Sequence, residues 1–193
     1  MGPYIELISG KLFYFLDAKE TDFVIQDIAH ALSNTCRYTG HCSKFYSVAE
    51  HSVLVSKLLS GTEFELAGLL HDAAEAYLPD VASPIKQYLP DYNALEDKLM
   101  ATISSKWGFE YPLHPAVKHC DLVMLSTEAH YLIPSKGNSW DLWEYRKRPH
   151  VDDGIKPSCV EPRVAKSLFL DRFYELTMKK ICSISNSPLP LTN

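Results

Sequence analysis

The stretch LAGLLHDAAEAYL, residues 66–78, places a histidine and an aspartate side by side in an apolar sequence of strong helix formers. Neither His71 nor Asp72 is a favoured core residue, and burying an ionised carboxylate is costly unless a cation meets it. A divalent metal ion is such a cation, and imidazole beside carboxylate is a common ligand pair for it. The stretch therefore predicts one helix over about 63–77 with a metal-binding pair inside it, and hence a metal-dependent enzyme.

Composition sets the broad class of the protein. The chain has 193 residues, the length of one ordinary domain, and its net charge of -5 lacks the basic footprint of a nucleic-acid-binding protein. Its five cysteines are odd in number and include no CxxC pair, which favours reduced thiols. No apolar run reaches the length of a membrane span, and the first residues do not resemble a signal peptide. We therefore expect a soluble cytoplasmic protein that binds neither nucleic acid nor membranes.

The chain begins with the pattern of a β-hairpin and continues with helical patterns. Residues 4–8 and 11–16 are rich in branched and aromatic side chains, and they flank Ser9-Gly10, a two-residue turn signal. The remainder predicts an all-α fold with this one small hairpin. We assign residues 1–20 to the hairpin, packed on the same domain, 21–181 to the helical domain and 182–193 to a tail.

Helix boundaries follow from capping residues. Asp22 is expected to cap a helix that ends near residue 34, and Ser47 with Glu50 forms a capping box for a helix to about residue 60. Asp91 is expected to cap a helix that stops at Gly108. Further helices are predicted from Pro115, at a first helical position, and over 162–181, whereas 35–45 and 81–86 are predicted loops.

Four residues on three predicted helices form a candidate metal site. They are His51, His71, Asp72 and Asp121. Two neutral imidazoles and two carboxylates would satisfy one divalent ion and leave a position for water, whose pKa the ion would lower to give a nucleophile at neutral pH. Imidazole with carboxylate admits cobalt, manganese, zinc, nickel or iron.

Glu75 and Asp80 are the candidate catalytic acids. Glu75 lies four residues after His71 and three after Asp72, so a continuous helix would place it on the same face as the metal ligands. A carboxylate there can orient or deprotonate the attacking water. Asp80 follows Pro79, where a loop could bring it over the same site, and two carboxylates in different environments could divide the acid and base roles.

The order His…His-Asp…Asp resembles the HD superfamily of metal-dependent phosphohydrolases. The segments CRYTGH (36–41), FYSVAEHS (45–52) and LLHDAAEAYLPDVASPIK (69–86) are similar to the branch that holds bacterial 5'-deoxynucleotidases and the phage dATP phosphohydrolases of the DatZ type. The similarity covers roughly residues 25–135. It implies that the helical domain is an HD-domain bundle, that Asp80 assists the leaving oxygen of a nucleotide, and that a second metal can lie near the substrate phosphates.

The same resemblance identifies candidate substrate contacts. Lys86 stands where the family places a phosphate-contacting lysine, and Arg37 offers a guanidinium suited to bidentate phosphate binding. Tyr38 is an aromatic neighbour for a base or sugar, although relatives often have tryptophan there, and His41 is a further candidate for contact with phosphate. The implied substrate is a deoxynucleotide, most of all dATP with dADP and dAMP.

The resemblance also suggests a setting and leaves enzymatic alternatives. It implies a homo-oligomer, either dimer or hexamer, that depletes dATP in a phage context, and then in the host cytoplasm. A 5'-deoxynucleotidase acting on monophosphates is the main alternative. Hydrolases of guanosine tetraphosphate usually carry HDxxED, and Ala76 departs from that pattern. Mixed-valence di-iron oxygenases would need extra histidines, for which His114 is the candidate.

A non-enzymatic interpretation rests on residues 134–162, an irregular stretch rich in proline and glycine. It contains Trp140, Trp143 and the basic run at 146–148, which could form a partner-binding or oligomer surface around a purely structural metal site. The acid pair Glu75 and Asp80 counts against that interpretation. Among the remaining histidines we expect surface roles for His114 and His119.

Overall fold

A computed structural model of the chain describes residues 2–137 and 154–185. These residues are mostly helical with one two-stranded antiparallel sheet at the start, which confirms the predicted all-α class with an N-terminal hairpin. The strands are β1 (Tyr4–Glu6) and β2 (Leu12–Tyr14), and the α-helices are α1 (Ile25–Asn34), α2 (Val48–Leu58), α3 (Glu65–Leu70), α4 (Ser83–Lys86), α5 (Pro90–Trp107), α6 (Pro115–Leu132) and α7 (Pro162–Ser185). The predicted surface at Trp140, Trp143 and 146–148 lies outside the described residues.

The hairpin has a longer connection than the two-residue turn predicted at Ser9-Gly10. Five residues, 7–11, join the two strands. The Leu7 amide donates to the Lys11 carbonyl, and the Leu7 carbonyl accepts from Gly10, which has a left-handed φ of 80°. Because the turn takes up residues on both sides of Ser9-Gly10, each strand is shorter than predicted.

The hairpin is attached to the helical body through one buried aromatic side chain. Phe13 stacks on Tyr77, with 4.1 Å between ring centroids, and meets Phe23 edge to face. All three belong to the main hydrophobic core, which also takes side chains from α1, α2, α3, α5 and α7. The hairpin therefore covers the segment that immediately follows the His-Asp pair.

The single helix predicted over 63–77 is wrong. Helix α3 ends at Leu70, and a separate 3-10 helix, Ala73–Ala76, follows it. His71 lies at the end of α3, and its Nδ1 donates to the Gly68 carbonyl at 2.8 Å. That carbonyl is one of the last four of the helix, which have no partner inside it. The histidine thus caps the helix, and the His-Asp pair lies at a break in the helical segment.

The capping predictions have mixed outcomes. Ser47 caps α2 as predicted, since its Oγ accepts from the Glu50 amide at 3.1 Å. The predicted cap at Asp22 is wrong, because its carboxylate accepts from the Lys19 amide in a 3-10 helix and α1 begins only after it. The predicted cap at Asp91 is also wrong, because this residue lies in the first turn of α5.

The later boundaries agree with the sequence except at two places. Gly108 ends α5 with a φ of 68°, and Pro115 begins α6, as predicted. The predicted loop at 81–86 contains the short helix α4, and α7 continues through Ser185, beyond the predicted end at 181. Among the described helices none is both long and apolar enough to cross a membrane.

Candidate metal centre

Three separate helical segments bring His51, His71 and Asp121 together in the interior. His51 comes from α2, His71 from the end of α3 and Asp121 from α6. The Nε2 atom of His51 lies 3.2 Å from Nε2 of His71 and 3.3 Å from Oδ1 of Asp121. Each residue offers a ligand atom within 4.8 Å of the other two, so this buried group can hold a metal ion.

The fourth predicted ligand, Asp72, lies at the same place. Its Oδ2 is 3.3 Å from Nε2 of His71 and 3.7 Å from Nε2 of His51. The same oxygen is 3.6 Å from a guanidinium nitrogen of Arg37. All four predicted ligands therefore converge, with Asp72 shared between the centre and a buried arginine.

Both imidazole rings direct Nε2 at the centre. Nδ1 of His71 faces a backbone carbonyl, and Nδ1 of His51 faces Oε1 of Glu128 at 2.6 Å. A carbonyl and a carboxylate can only accept, so both Nδ1 atoms carry the proton of the neutral ring. The two Nε2 atoms then face each other across 3.2 Å and also face two carboxylates.

Two largely buried carboxylates and two imidazole nitrogens that face one another favour a positive charge between them. A divalent metal ion would supply that charge. Burial opposes protonation of His71, yet the Asp72 and Asp121 carboxylates raise its pKa to about 10. Burial also opposes ionisation of both carboxyls, but the neighbouring histidines hold the pKa of Asp72 and of Asp121 below their ordinary values. Two imidazole nitrogens and two ionised carboxylates match the donors that divalent transition metals take, so the residues present fit such an ion.

Glu128 organises the outer layer of the centre, and the sequence did not single it out. The side chain is 0% exposed, and its carboxylate accepts from Nδ1 of His51 at 2.6 Å and from the Tyr46 hydroxyl at 2.8 Å. It also accepts from Nε of Arg37 at 3.1 Å and from the Tyr38 hydroxyl at 3.0 Å. A carboxylate on the far nitrogen of a ligating histidine fixes the tautomer and increases the basicity of the ligand. A sequence signal existed, because Glu128 follows Asp121 by two helical turns.

Glu75 and Asp80 lie beside the metal cluster. Glu75 is 9% exposed, and burial raises its pKa well above the ordinary value, with the charges of Asp72 and Asp80 adding to the effect. Within the described part of the chain, its Oε2 atom has no hydrogen-bond partner. Burial also raises the pKa of Asp80. The centre is thus flanked by two carboxyls that hold a proton more readily than usual.

Lys86 lies between the carboxylates of Glu75 and Glu96. Its ammonium lies 3.7 Å from Oε1 of Glu75 and 2.8 Å from Oε1 of Glu96. Burial opposes the charged form, but Glu96 and Glu75 outweigh it and raise the pKa of Lys86. Glu96 was not identified from the sequence, since nothing in its spacing relates α5 to the His-Asp pair.

A cavity of about 170 Å³ opens onto the centre. Glu75, Lys86 and Asp121 line it, together with residues of α5 and the beginning of α6. Lys118 lies at its border, 69% exposed, with Nζ 2.7 Å from Oδ2 of Asp121. The cavity therefore has ammonium groups from two helices beside the metal ligands.

The remaining predicted contacts lie at different distances from this centre. Arg37 and Tyr38 lie against it through Glu128, with the Arg37 side chain only 11% exposed. His41 is exposed at the end of the 3-10 helix formed by residues 38–40. His114 caps α6 and stacks on Phe64, outside the metal cluster.

The fold and the centre together define a helical protein with a buried His/Asp cluster that could hold a metal ion. The chain matches no protein-family model. It is 40% identical over 180 residues to the uncharacterized protein YfdR of Escherichia coli (strain K12), covering 93% of this chain and 99% of that protein. It is 36% identical over 136 residues to an uncharacterized protein of Rhodobacter capsulatus, RCAP_rcc00048, covering 64% of this chain and 69% of that protein. The chain belongs to the family of YfdR.

Proposed function

We propose that this protein is an HD-type metal-dependent phosphohydrolase that removes phosphate from deoxynucleotides, with dATP as the favoured substrate. The observation that supports it most is the convergence of His51, His71, Asp72 and Asp121 beside a cavity lined by Glu75 and Lys86. The choice of a deoxynucleotide and of adenine rests on the sequence resemblance. A homo-oligomeric state belongs to the same proposal.

The four converging residues would hold one divalent ion. When bound, such an ion lowers the pKa of a water molecule and polarises a phosphoryl oxygen. Glu128 keeps the His51 ring in the orientation that presents Nε2, and the Gly68 carbonyl does the same for His71. These two contacts orient both rings so that Nε2 of each faces the place of the ion.

Glu75 and Asp80 would divide the proton transfers. Because burial raises the pKa of Glu75 above its ordinary value, this carboxylate is a stronger base and can take a proton from the attacking water. Asp80, whose pKa is also raised by burial, would give a proton to the leaving oxygen. The buried Oε2 of Glu75 has no partner among the described residues, which leaves it available to a water molecule.

Cationic side chains would receive the phosphates. Lys86 lines the cavity and is held beside Glu75, so its ammonium stands next to the proposed reacting oxygen atoms. The Arg37 guanidinium adds positive charge behind Asp72, from which it lies 3.6 Å away. A phosphate group entering the cavity would meet the Lys86 ammonium directly.

A substrate panel tests the proposal. All deoxy- and ribonucleotide mono- and triphosphates are incubated with the protein and each of several divalent metals, and the products are separated by chromatography. We expect metal-dependent hydrolysis of deoxynucleotides, greatest for dATP, and loss of it in Glu75→Ala with metal binding retained. Preference for ribonucleotides, or hydrolysis in the presence of a chelator, would refute the proposal. Hydrolysis of monophosphates alone would replace it with the 5'-deoxynucleotidase alternative.

A further inference from the structure

Two thiols lie in contact in the loop that precedes α2. The Sγ atoms of Cys36 and Cys42 are 3.6 Å apart, and both residues are half-buried. The four cysteines whose side chains the structure describes form no disulfide with one another. A half-buried pair of this kind is accessible to a small oxidant and already has its two sulfur atoms facing each other.

The loop backbone holds the pair in place. Cys36 forms an antiparallel bridge with Ser47 at the beginning of α2. Tyr38 and Thr39 adopt left-handed φ values of 57° and 53°, and Gly40 follows with 80°. Left-handed residues in succession reverse the chain, and this reversal returns Cys42 to Cys36. The proximity of the thiols is therefore built into the path of the loop.

The same loop supplies the candidate centre with part of its outer layer. Arg37 directly follows Cys36, and its carbonyl accepts from the Cys42 thiol at 3.8 Å. The Arg37 side chain contacts Glu128, which in turn holds the His51 ring. A change in the bonding of the two sulfurs can therefore reach Glu128, the acceptor that holds His51, through the adjacent Arg37.

We propose that Cys36 and Cys42 are an oxidisable pair, which a peroxide converts into a disulfide that weakens metal binding at the His/Asp centre. The sulfurs must close from 3.6 Å to about 2.05 Å, the length of a disulfide bond. Closure removes the thiol proton that Cys42 gives to the Arg37 carbonyl, and it draws the two ends of the Arg37 loop together. This inference concerns regulation and goes beyond the proposed hydrolysis.

The chemistry balances with one peroxide and no other reactant. The Cys36 sulfur attacks one oxygen of hydrogen peroxide, the O–O bond breaks, and a sulfenic acid and one water are formed. The Cys42 sulfur then attacks the sulfenic sulfur, and the hydroxyl leaves with the Cys42 proton as a second water. Burial raises the pKa of Cys42 and so lowers the fraction of its reactive thiolate. The reaction balances equally if the two sulfurs exchange roles. A dithiol reductant reverses the reaction.

A third thiol provides the competing pairing. Cys159 lies close enough to Cys36 for their charges to interact, and its backbone amide is held by the Glu50 carboxylate at 3.0 Å. Among the described cysteines, Cys120 on α6 serves as a matched half-buried control away from the loop. The variants Cys36→Ser, Cys42→Ser, Cys159→Ser and Cys120→Ser therefore separate the proposed pair from its neighbours.

The test uses the reduced full-length chain, treated with hydrogen peroxide, alkylated and analysed by intact mass and peptide mapping. We expect two fewer alkyl groups than in the untreated protein and a Cys36–Cys42 cross-link in the parent, Cys159→Ser and Cys120→Ser proteins, both reversed by dithiothreitol. Neither Cys36→Ser nor Cys42→Ser should form it. A cross-link to Cys159, or alkylation of both Cys36 and Cys42 after peroxide, would overturn the assignment.

A second measurement tests the consequence for the centre. Titration of the reduced and oxidised parent with Mn²⁺, followed by calorimetry, should show affinity lowered roughly 10-fold in the oxidised form, the loss typical of a disturbed partner of a ligating histidine. Equal affinities in the two forms would overturn the regulatory part of the inference. Because neither measurement depends on hydrolysis, failure of the proposed substrate would leave both results interpretable.

Discussion

The substitution Glu128→Gln isolates the contribution of the buried carboxylate behind the metal ligands. The change keeps the size of the side chain and removes its charge. In the parent, the two oxygens accept from four donors: Arg37, Tyr38, Tyr46 and His51. A glutamine offers one oxygen and an NH2 group, and that group donates where the carboxylate accepted. At least one buried donor therefore loses its acceptor.

The expected loss of stability follows from burial and charge. Glu128 is 0% exposed, and among the described residues Arg37 beside it keeps only the Asp72 carboxylate, at 3.6 Å, as an ion-pair partner in the variant. Removing one member of a buried ion pair costs about 3–5 kcal/mol of unfolding free energy. The His51 ring also loses the acceptor that fixes its tautomer, which lowers metal affinity roughly 10- to 100-fold.

Urea denaturation and calorimetric titration with Mn²⁺ measure these two effects. The control is Glu63→Gln, which removes the same charge from an exposed position and should change neither quantity. If the unfolding free energy of Glu128→Gln lies within about 1 kcal/mol of that of the parent and the variant binds the metal equally well, Glu128 neither stabilises the interior nor supports His51. The account of the outer layer would then be refuted.

Three further predictions concern other elements. Glu75→Gln should lower hydrolysis at least roughly 100-fold while metal binding persists. Because burial raises the pKa of Glu75 above its ordinary 4.5, ionisation of this side chain lowers the unfolding free energy of the parent as the pH rises. Urea denaturation should therefore show the unfolding free energy of the variant rising relative to that of the parent from pH 5 to 8. A constant difference between the two proteins would contradict this. Gly68→Ala should cost about 1–3 kcal/mol in thermal unfolding, since a Cβ there would lie 2.5 Å from Leu59 Cδ1; unchanged stability would show that Leu59 gives way. Glu50→Gln should speed hydrogen exchange at 158–160, whose amides donate to its carboxylate; unchanged exchange would exclude this anchor.

The boundaries that the sequence predicted well are those set by backbone chemistry at one residue. Gly108 ends a helix because it adopts a left-handed conformation, and Pro115 begins one because its fixed φ suits a first turn. Acidic residues indicated helix boundaries less reliably than glycine or proline. Asp22 could bond to a nearby amide in either an α-helix or a 3-10 helix, and the choice depends on packing that the local sequence does not contain.

The metal ligands were predictable because their chemistry is costly to bury without a partner. His71 and Asp72 stand out in an apolar stretch, and His51 and Asp121 lie on the predicted helices before and after it. Glu96 and Lys118 were missed, since each lies on a helix whose exposed face carries charged residues of no evident purpose. Their proximity to Lys86 and Asp121 arises only when α5 and α6 pack beside the break after α3.

The break after α3 has a chemical consequence for the two histidines. A continuous helix would have used the Gly68 carbonyl for its own hydrogen bonding, whereas the break leaves that carbonyl to accept from Nδ1 of His71. His51 lies inside an uninterrupted helix, so its Nδ1 needs an acceptor from elsewhere, and α6 supplies the Glu128 carboxylate. One ligand is thus supported by a neutral carbonyl and the other by a charge. Because a carboxylate partner makes an imidazole the stronger donor, His51 should dominate the affinity of the centre for a metal.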